Sequence, residues 1–554
     1  MHHNNQQSLS PRQRTPLRTP LVLALALVCA PLAAAAATIS VTSAVDLGTT
    51  GTCTLRQAIV TMNDGTTVSA GDGEGNCRTN ASGNFGSQDT IVFGLGAFPA
   101  DGSDAITLSG VVLTISAADL AIDATANSNV TIDANHTSGV MVDRAALGEL
   151  LTLKHLTLIN GNVADPCDGS WGGGGGICIP HANLVLAHVT VSGNSVAGFG
   201  GGIFAYFGSV SLTASTVSDN SASSGGGISA LRGDVSLVNS TLSGNAASYR
   251  GGGIVAYGGS IALVNSTLSG NTATESGGGI FNTVTNGSVT LTDSTLSDNS
   301  AGSGGGIGSH IIDVTLIANN AIVAGNIGGD LGGDVFMTGG EYNLIGNVTH
   351  LELGPLQDNG GPTQTMLPQR GSAAIDSGAC SGGVPTTDQR GVSRPQGASC
   401  DIGAVEVLSA VSSFSDSSAF AHYGQPRTWV LTLVNRGAAD ASGVTVQGNA
   451  PPQIDAGATR WRCIPSFGAI CTAYGSGALN DANVFIPAHG VVSWTITAPI
   501  KPHASGGTLT MTANVTGLSP AATVEDTDTL VLFRDGFDVP AADGTMAVLH
   551  PATR

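Results

Sequence analysis

The chain has 554 residues, of which 79 are glycine, only 10% are charged and 4% aromatic, and its formal net charge is −20. Gly plus Pro stays below the ~25–30% typical of low-complexity chains, so collagen-like and disordered classes are excluded and the core must be built from small aliphatic residues. Lys154 and Lys501 are the only lysines, and the longest basic tract is Arg460 and Arg462 around Trp461, so attraction to nucleic acid or anionic lipid is disfavoured.

Residues 1–37 read as a secretion signal. Arg12, Arg14 and Arg18 form a basic start, Leu21 to Cys29 an apolar stretch, and the alanines after Pro31 a small-x-small cleavage site, most simply after Ala37. The apolar run is broken by Pro31 and is a poor membrane span. The expectation is export, with no transmembrane segment left after cleavage. Eight cysteines remain, and an even count in an exported chain implies disulfides. Eight cysteines allow 105 connectivities. Proximity favours Cys53 with Cys77, Cys167 with Cys178, Cys380 with Cys400 and Cys463 with Cys471. A zinc site would want Cys-x2-Cys, which the sequence lacks.

Internal repeats carry the most information. A Gly-Gly-Gly-Ile element ends at Ile177, Ile203, Ile228, Ile254, Ile280 and Ile307, with spacings of 26, 25, 26, 26 and 27 residues. Between these, an asparagine recurs at Asn194, Asn220, Asn245, Asn271, Asn299 and Asn326. Fixed periods of this size predict a solenoid. Val235 and Leu237 alternate inward, Ser240 and Leu242 follow after a bend, and Ile254 opens a third inward segment, so each repeat predicts one three-stranded rung of a right-handed parallel β-helix. The same position then forms a column up the stack. Ser215, Ser240, Ser266 and Ser294 make one column, and the asparagines make a second that reads as a hydrogen-bonded structural ladder. About ten rungs are expected between residues 90 and 345. Residues 408–533 instead alternate at period two between Gly and Pro turns, from Trp429 to Asn435 and again from Val491 to Ile496, which predicts an immunoglobulin-like β-sandwich.

The Gly-Gly-Gly-Ile and Ser-Gly-Asn units resemble the repeats of polymorphic outer membrane proteins. The run Cys53-Thr-Leu-Arg-Gln-Ala-Ile59 resembles the N-terminal CSLREA motif, with Gln57 in place of its Glu. Asn343-Leu-Ile-Gly346, Asn359-Gly-Gly-Pro-Thr363, Asp388-Gln-Arg-Gly391 and Cys400-Asp-Ile-Gly-Ala-Val-Glu406 resemble the choice-of-anchor Q domain, and the 408–533 region is similar to the DUF11 surface-repeat domain. These resemblances imply a bacterial surface or secreted protein with no assigned reaction. The expected divisions are a signal over 1–37, an N-terminal cap over 38–88, the β-helix over 89–347, a C-terminal cap over 348–407, the sandwich over 408–533 and a tail over 534–554. Leu55, Ala58 and Ile59 are expected to form an apolar helical face closing one end of the rod. Arg390 is expected to pair with one of Asp376, Asp388, Asp401 and Glu406 and to close the other end.

Some β-helices are polysaccharide lyases or glycosidases, and a glycosidase needs two carboxyl groups about 5–9.5 Å apart. The acids of the regular rungs are Asp219, Asp234, Asp293 and Asp298. Asp219 and Asp298 stand about three rungs, ~14 Å, apart. Arg232 with Asp234 reads as a solvated loop pair. Asp330 and Asp334 are similar to a single copy of a calcium-binding glycine turn. His155, His181 and His188 lack metal spacing, and no nucleophile-elbow motif is present. No catalytic residue, metal or cofactor is therefore expected. Phe204, Tyr206, Tyr257 and Phe281 are expected on one outward sheet face, where aromatic rings stack on sugars. The leading expectation is a non-catalytic secreted or cell-surface protein, an adhesin or surface-structure component with glycans or a neighbouring cell surface as partners. A carbohydrate-active enzyme and a purely structural stalk are the alternatives.

Overall fold

The structure, a computed structural model, describes residues 36–531 apart from 49–50, 65–76, 78–84, 87, 102–103, 164–166, 168–171, 284–286, 311–313, 370, 382, 398, 408–409, 419, 423, 436–439, 467, 489, 503–507 and 517–521. The expected signal, except Ala36 and Ala37, and the tail lie outside these residues.

Strands between Thr38 and Ile345 stack in parallel into three long sheets of eleven, ten and nine strands and one short sheet of five. In one rung, Val235–Val238 lies in the first sheet, Thr241–Ser243 in the second, Ala246–Arg250 in the short sheet and Ile254–Tyr257 in the third. Val235, Leu237, Ser240, Leu242 and Ile254 are all buried, and Leu237 stacks on Leu263, Leu242 on Leu268 and Ile254 on Ile280. The fourth, short strand departs from the three-strand expectation. Its buried residues are the small Ala222, Ala247 and Ala273, which give almost no hydrophobic contrast to read in the sequence.

The corners explain the polar columns. Asn239 and Asn265 turn with φ of 51° and 46°, a conformation that Asn tolerates better than most residues. The next residue then points inward: Ser240 N–H donates to Ser266 Oγ at 3.2 Å, while Ser240 Oγ donates to its own strand at Val238 O. At the second corner, each asparagine Nδ2 donates to Oδ1 of the asparagine one rung on, from Asn194 to Asn220 at 3.0 Å through to Asn299 and Asn326 at 3.0 Å. Asn326 ends the series by donating to the carboxylate of Asp330 at 2.8 Å. Asp330 is thus the terminator of the ladder rather than part of a calcium turn. The glycine triplets answer two needs. Gly225 turns with φ of 64°, and a Cβ on Gly226 or Gly227 would meet the carbonyl of Ala246 or Gly253 at 2.5 and 2.6 Å.

At the N-terminal end the expected apolar helical face packs on the rod core, with one difference. Thr38–Val41 already pairs with Thr90–Phe93 as the first strand of the first sheet, so the cap is inserted after it. The helix Leu55–Asp64 buries Leu55, Ala58, Ile59 and Met62. Arg56 pins it by an ion pair with Asp46 at 2.9 Å and by bonds to the carbonyls of Val111 and Val112.

Residues 351–407 do not close the far end. They run back along the flank of the second sheet, where Thr363 Oγ1 donates to Asn239 O, Asn265 Nδ2 to Thr387 O, Gly403 N to Asn320 O and Asn320 Nδ2 to Ala379 O. This clasp uses the left-handed corner residues, whose outward polar groups are free to accept it. Its own core is a pair of buried ion pairs. Arg390 takes Asp388 at 2.7 Å, and Arg394 takes Glu406 at 3.0 Å with Asp293 of the rod at 3.8 Å.

All four proximity disulfides are formed. Beyond the clasp, two five-stranded sheets share a core of Trp429, Leu431, Val444, Val446, Trp494 and Met511, the expected sandwich. Pairing is antiparallel except for Phe420–His422, which lies parallel to Ala522–Val531. No described helix is long and apolar enough to cross a membrane.

Candidate ligand cleft

The outward face of the second sheet carries two hydroxyl columns. Thr157, Thr190, Thr216, Thr241, Thr267 and Thr295 stack in register, as do Ser192, Ser218, Ser243, Ser269 and Ser297. These positions alternate with the inward Leu158, Val191, Val217, Leu242, Leu268 and Leu296, so the polar face follows from the strand period. The clasp covers the C-terminal half of this face. Thr241 Oγ1 donates to Gln364 O at 2.6 Å, Thr267 Oγ1 donates to Gln389 Oε1 at 2.7 Å, and Thr295 Oγ1 accepts Ala404 N–H at 3.0 Å.

Toward the N-terminal end the cover stops and the columns open. Two clefts lie at this edge, sharing Thr216 and Pro362. The larger, about 480 Å³, is walled by Ser218, Asp219, Ser243, Asp358 and Gln364. The smaller, about 240 Å³, is walled by Asn129, His155, Thr157, His188 and Thr190. His155 and His188 stack with centroids 4.7 Å apart and an interplanar angle of 15°. Burial and the neighbouring His155 both lower the pKa of His188, which keeps its ring neutral and acceptor-capable near neutral pH. The larger volume lies within the range of small-ligand sites, but its walls are hydroxyl, amide and carboxylate groups, which suit a polyhydroxylated ligand better than an apolar one.

Asp219 owes its place to geometry. It turns with φ of 56° in the corner position held by Gly193, Gly244 and Gly270 elsewhere, as Asp298 does with φ of 60°. Among the described residues, the acids whose pKa is raised line neither cleft. Burial pushes Asp143 and Asp293 up to about 6, and burial with the nearby Glu406 pushes Asp401 up. Asp293 and Asp401 belong to the clasp interior, where Asp401 accepts the N–H groups of Asp376 and Val407.

The aromatic face expected from the sequence is a covered layer. Phe204 is 2% exposed and Phe281 0%, and Tyr206 and Tyr257 are half-buried. Phe204 and Phe281 do point away from the main core, in register with Cys178, Ser229 and Val255. The segment before each glycine triplet folds over that face: Phe199 packs on Phe204 at 6.3 Å and on Tyr257 at 6.3 Å, and the Arg250 guanidinium sits 5.0 Å from the Phe281 ring. Phe204 and Phe281 therefore cannot stack on a ligand. Arg232 lies 5.3 Å from the Phe207 ring and 6.0 Å from the Tyr206 ring, while Asp234 accepts Ser260 N–H at 2.8 Å, so the two do not act as the expected loop pair. Sequence reasoning did not single out the two hydroxyl columns. Their signal, Thr and Ser at fixed offsets from each inward Leu, was present but indistinguishable from ordinary solvent-facing residues.

Residues 109–296 match the family described as the right handed beta helix region, in agreement with the solenoid. No curated protein matches the chain. Among solved structures, AvmM, described as catalysing macrocyclization in alchivemycin A biosynthesis, aligns over 23% of this chain and 92% of that chain at 10% identity and a TM-score of 0.17. A family 123 glycoside hydrolase from Clostridium perfringens, described in connection with glycolipid glycan hydrolysis, aligns over 23% of this chain and 28% of that chain at 12% identity and a TM-score of 0.16. Likenesses this slight carry no argument about activity.

Proposed function

We propose that the protein is an exported, non-catalytic β-helix rod that binds a glycan chain of a cell surface, and that the open half of the hydroxyl face is its binding site. The observation that carries this reading is the edge at Pro362. Downstream of it, Thr241, Thr267 and Thr295 are engaged by the clasp; upstream of it, Thr190 and Thr216 offer the same groups, one rung apart, to an outside ligand, while Thr157 is bonded to Asn129. The neutral His188 imidazole adds a further donor and acceptor for sugar hydroxyls. The non-catalytic reading is supported by the placement of the raised-pKa acids, which lie away from both clefts, since a general acid must reach the scissile bond.

Binding of the full mature chain to a panel of immobilised glycans tests this. Thr190→Val and Thr216→Val together should weaken a detected interaction at least about tenfold, the loss expected from two hydrogen bonds, while the melting temperature holds. Absence of binding across the panel would favour the structural stalk. Asp219 and Asp358 keep an enzymatic reading testable: release of reducing or unsaturated ends from a bound glycan, lost in Asp219→Asn or Asp358→Asn, would overturn the non-catalytic assignment.

A further inference from the structure

The sandwich holds an acidic cluster that its packing does not explain. On the strand Ala522–Val531, alternate residues face inward, and Val524 and Leu530 pack on the core as that pattern requires. Asp526 and Asp528 occupy the two positions between them. Asp528 is 1% exposed and neither of its carboxylate oxygens accepts a hydrogen bond. A buried carboxylate left in this state is costly unless a cation compensates it, so packing alone would favour Val or Thr there.

Across from this strand, Asp416 follows the strand Ala410–Ser415 and completes the group. Asp416, Asp526 and Asp528 each place a carboxylate oxygen within 4.8 Å of the others. Arg427 pairs with Asp416 and stands 3.5 Å from Asp528. One guanidinium against three carboxylates leaves two negative charges uncompensated. The Asp416 side chain is 1% exposed, whereas Asp526 is half-buried and gives the cluster a solvent side through which an ion can enter.

We propose that Asp416, Asp526 and Asp528 form a calcium site that ties the last strand of the sandwich to the turn after its first. The donors are oxygen only, as a hard cation requires, and oxygens on opposite sides of a calcium ion at ~2.4 Å are about 4.8 Å apart. The half-buried carboxylate of Asp526 leaves room for water to complete the six to eight ligands that calcium takes. Extracellular modules hold calcium with dissociation constants of about 10⁻⁴–10⁻³ M, a range suited to a chain that is loaded after export. This inference is independent of the glycan reading, because cluster and cleft share no residue.

The test uses the full mature chain. Calcium chloride should raise the melting temperature of the sandwich by several degrees, EDTA should reverse the rise, and titration calorimetry should show a single site in the affinity range above. Asp528→Asn and Asp526→Asn should each abolish the response, while Asp358→Asn should keep it. Should Asp528→Asn fail to fold, Asp526→Asn, at a half-buried position, should fold and on its own show the loss of the calcium response. No heat and no thermal shift at about 10 mM calcium, tenfold above the weakest expected constant, would overturn the proposal. An equal shift from magnesium chloride, or a calcium response unchanged in Asp416→Asn, would do so as well.

Discussion

Gln389 and Thr267, 122 positions apart, meet in a buried hydrogen bond of 2.7 Å, with Thr267 Oγ1 donating to Gln389 Oε1. The other end of the same amide donates to Thr241 and Thr363, both at 2.8 Å. One side chain thus reads two successive rungs and its own clasp at once, and it fixes the register in which residues 351–407 lie on the rod. The clasp is a side lock, and the open clefts exist because it stops where it does.

Gln389→Ala should therefore loosen the clasp without dissolving the rod. Three buried partners lose their bonds, and unsatisfied buried groups cost about 1–3 kcal/mol each, so a loss of roughly 2–4 kcal/mol is expected in a urea melt after partial relaxation. Limited proteolysis should show the new cuts first between residues 351 and 407; cuts appearing first within the regular rungs would contradict the lock.

Arg394 is 1% exposed at its side chain, against 0% for Glu406 and Asp293. Arg394→Met should cost about 3–5 kcal/mol, because it strands a buried carboxylate. Adding Glu406→Gln should recover part of that loss, a coupling that a double-mutant cycle measures. Arg390→Ala should also destabilise, since its partner Asp388 is fully buried, and glycan binding by the folded fraction should be unaffected.

Stability should fall as pH rises above about 4. Burial pushes Asp143 and Asp293 up to about 6, so each binds its proton more tightly folded than unfolded, where the value is about 3.9. Their contribution is complete below about pH 4 and is lost as pH rises through about 6. For Asp143 the two-unit difference corresponds to about 3 kcal/mol. Asp46 acts in the opposite sense: against the desolvation that raises it, bonds from Arg56 and Ser109 hold it low, so its contribution is present above about pH 4 and lost below. Urea midpoints measured from pH 4 to 8 should decline, and Asp143→Asn should flatten the curve between pH 4 and 6.

The asparagine ladder should tolerate no charge. Asn245 Nδ2 donates to Val217 O at 2.9 Å and to Asn271 Oδ1 at 2.8 Å. Asn245→Asp turns both donors into an acceptor facing acceptors inside the rod, so a loss of about 3 kcal/mol or more is expected. A chemical-denaturation midpoint equal to wild type would refute this.

The processed N-terminus should retain Ala37. Its backbone N–H donates to Asp89 Oδ1 at 2.8 Å, its carbonyl accepts Thr90 N–H, and both Ala37 and Asp89 are fully buried. Cleavage after Ala37, the simplest reading of the alanine run, would remove a packed residue and uncover a buried carboxylate. Intact-mass analysis of exported protein should show a chain beginning at Ala37 or earlier.

What was legible in the sequence was whatever repeats. The Ile, Ser and Asn columns announce themselves because a solenoid places one environment at each period, and the four disulfides followed from proximity. The clasp was misplaced at the end of the rod because its contacts, Gln389 with Thr267, Thr387 with Asn265 and Thr363 with Asn239, span 122 to 124 positions and each occurs once rather than as a repeat. Phe204 and Phe281 were correctly turned outward, but Phe199 and Arg250, which cover them, stand at positions whose residue type changes from rung to rung. Asp526 and Asp528 passed unread because their alternation is that of any half-exposed strand; only the burial of Asp528 marks them.

The asparagine ladder has a direction, since every amide-to-amide bond is donated toward the later rung, and it ends on Asp330, which only accepts. That carboxylate works as a stop signal, and Asn194 Oδ1 receives the Gly161 N–H at the start. Any copy of one repeat unit inserted between Asn194 and Asn326 would bring its own donor and its own acceptor and leave both ends unchanged. The reach of the rod is thereby free to lengthen or shorten by whole units through gene duplication or loss, while the start and the finish of the ladder are encoded once.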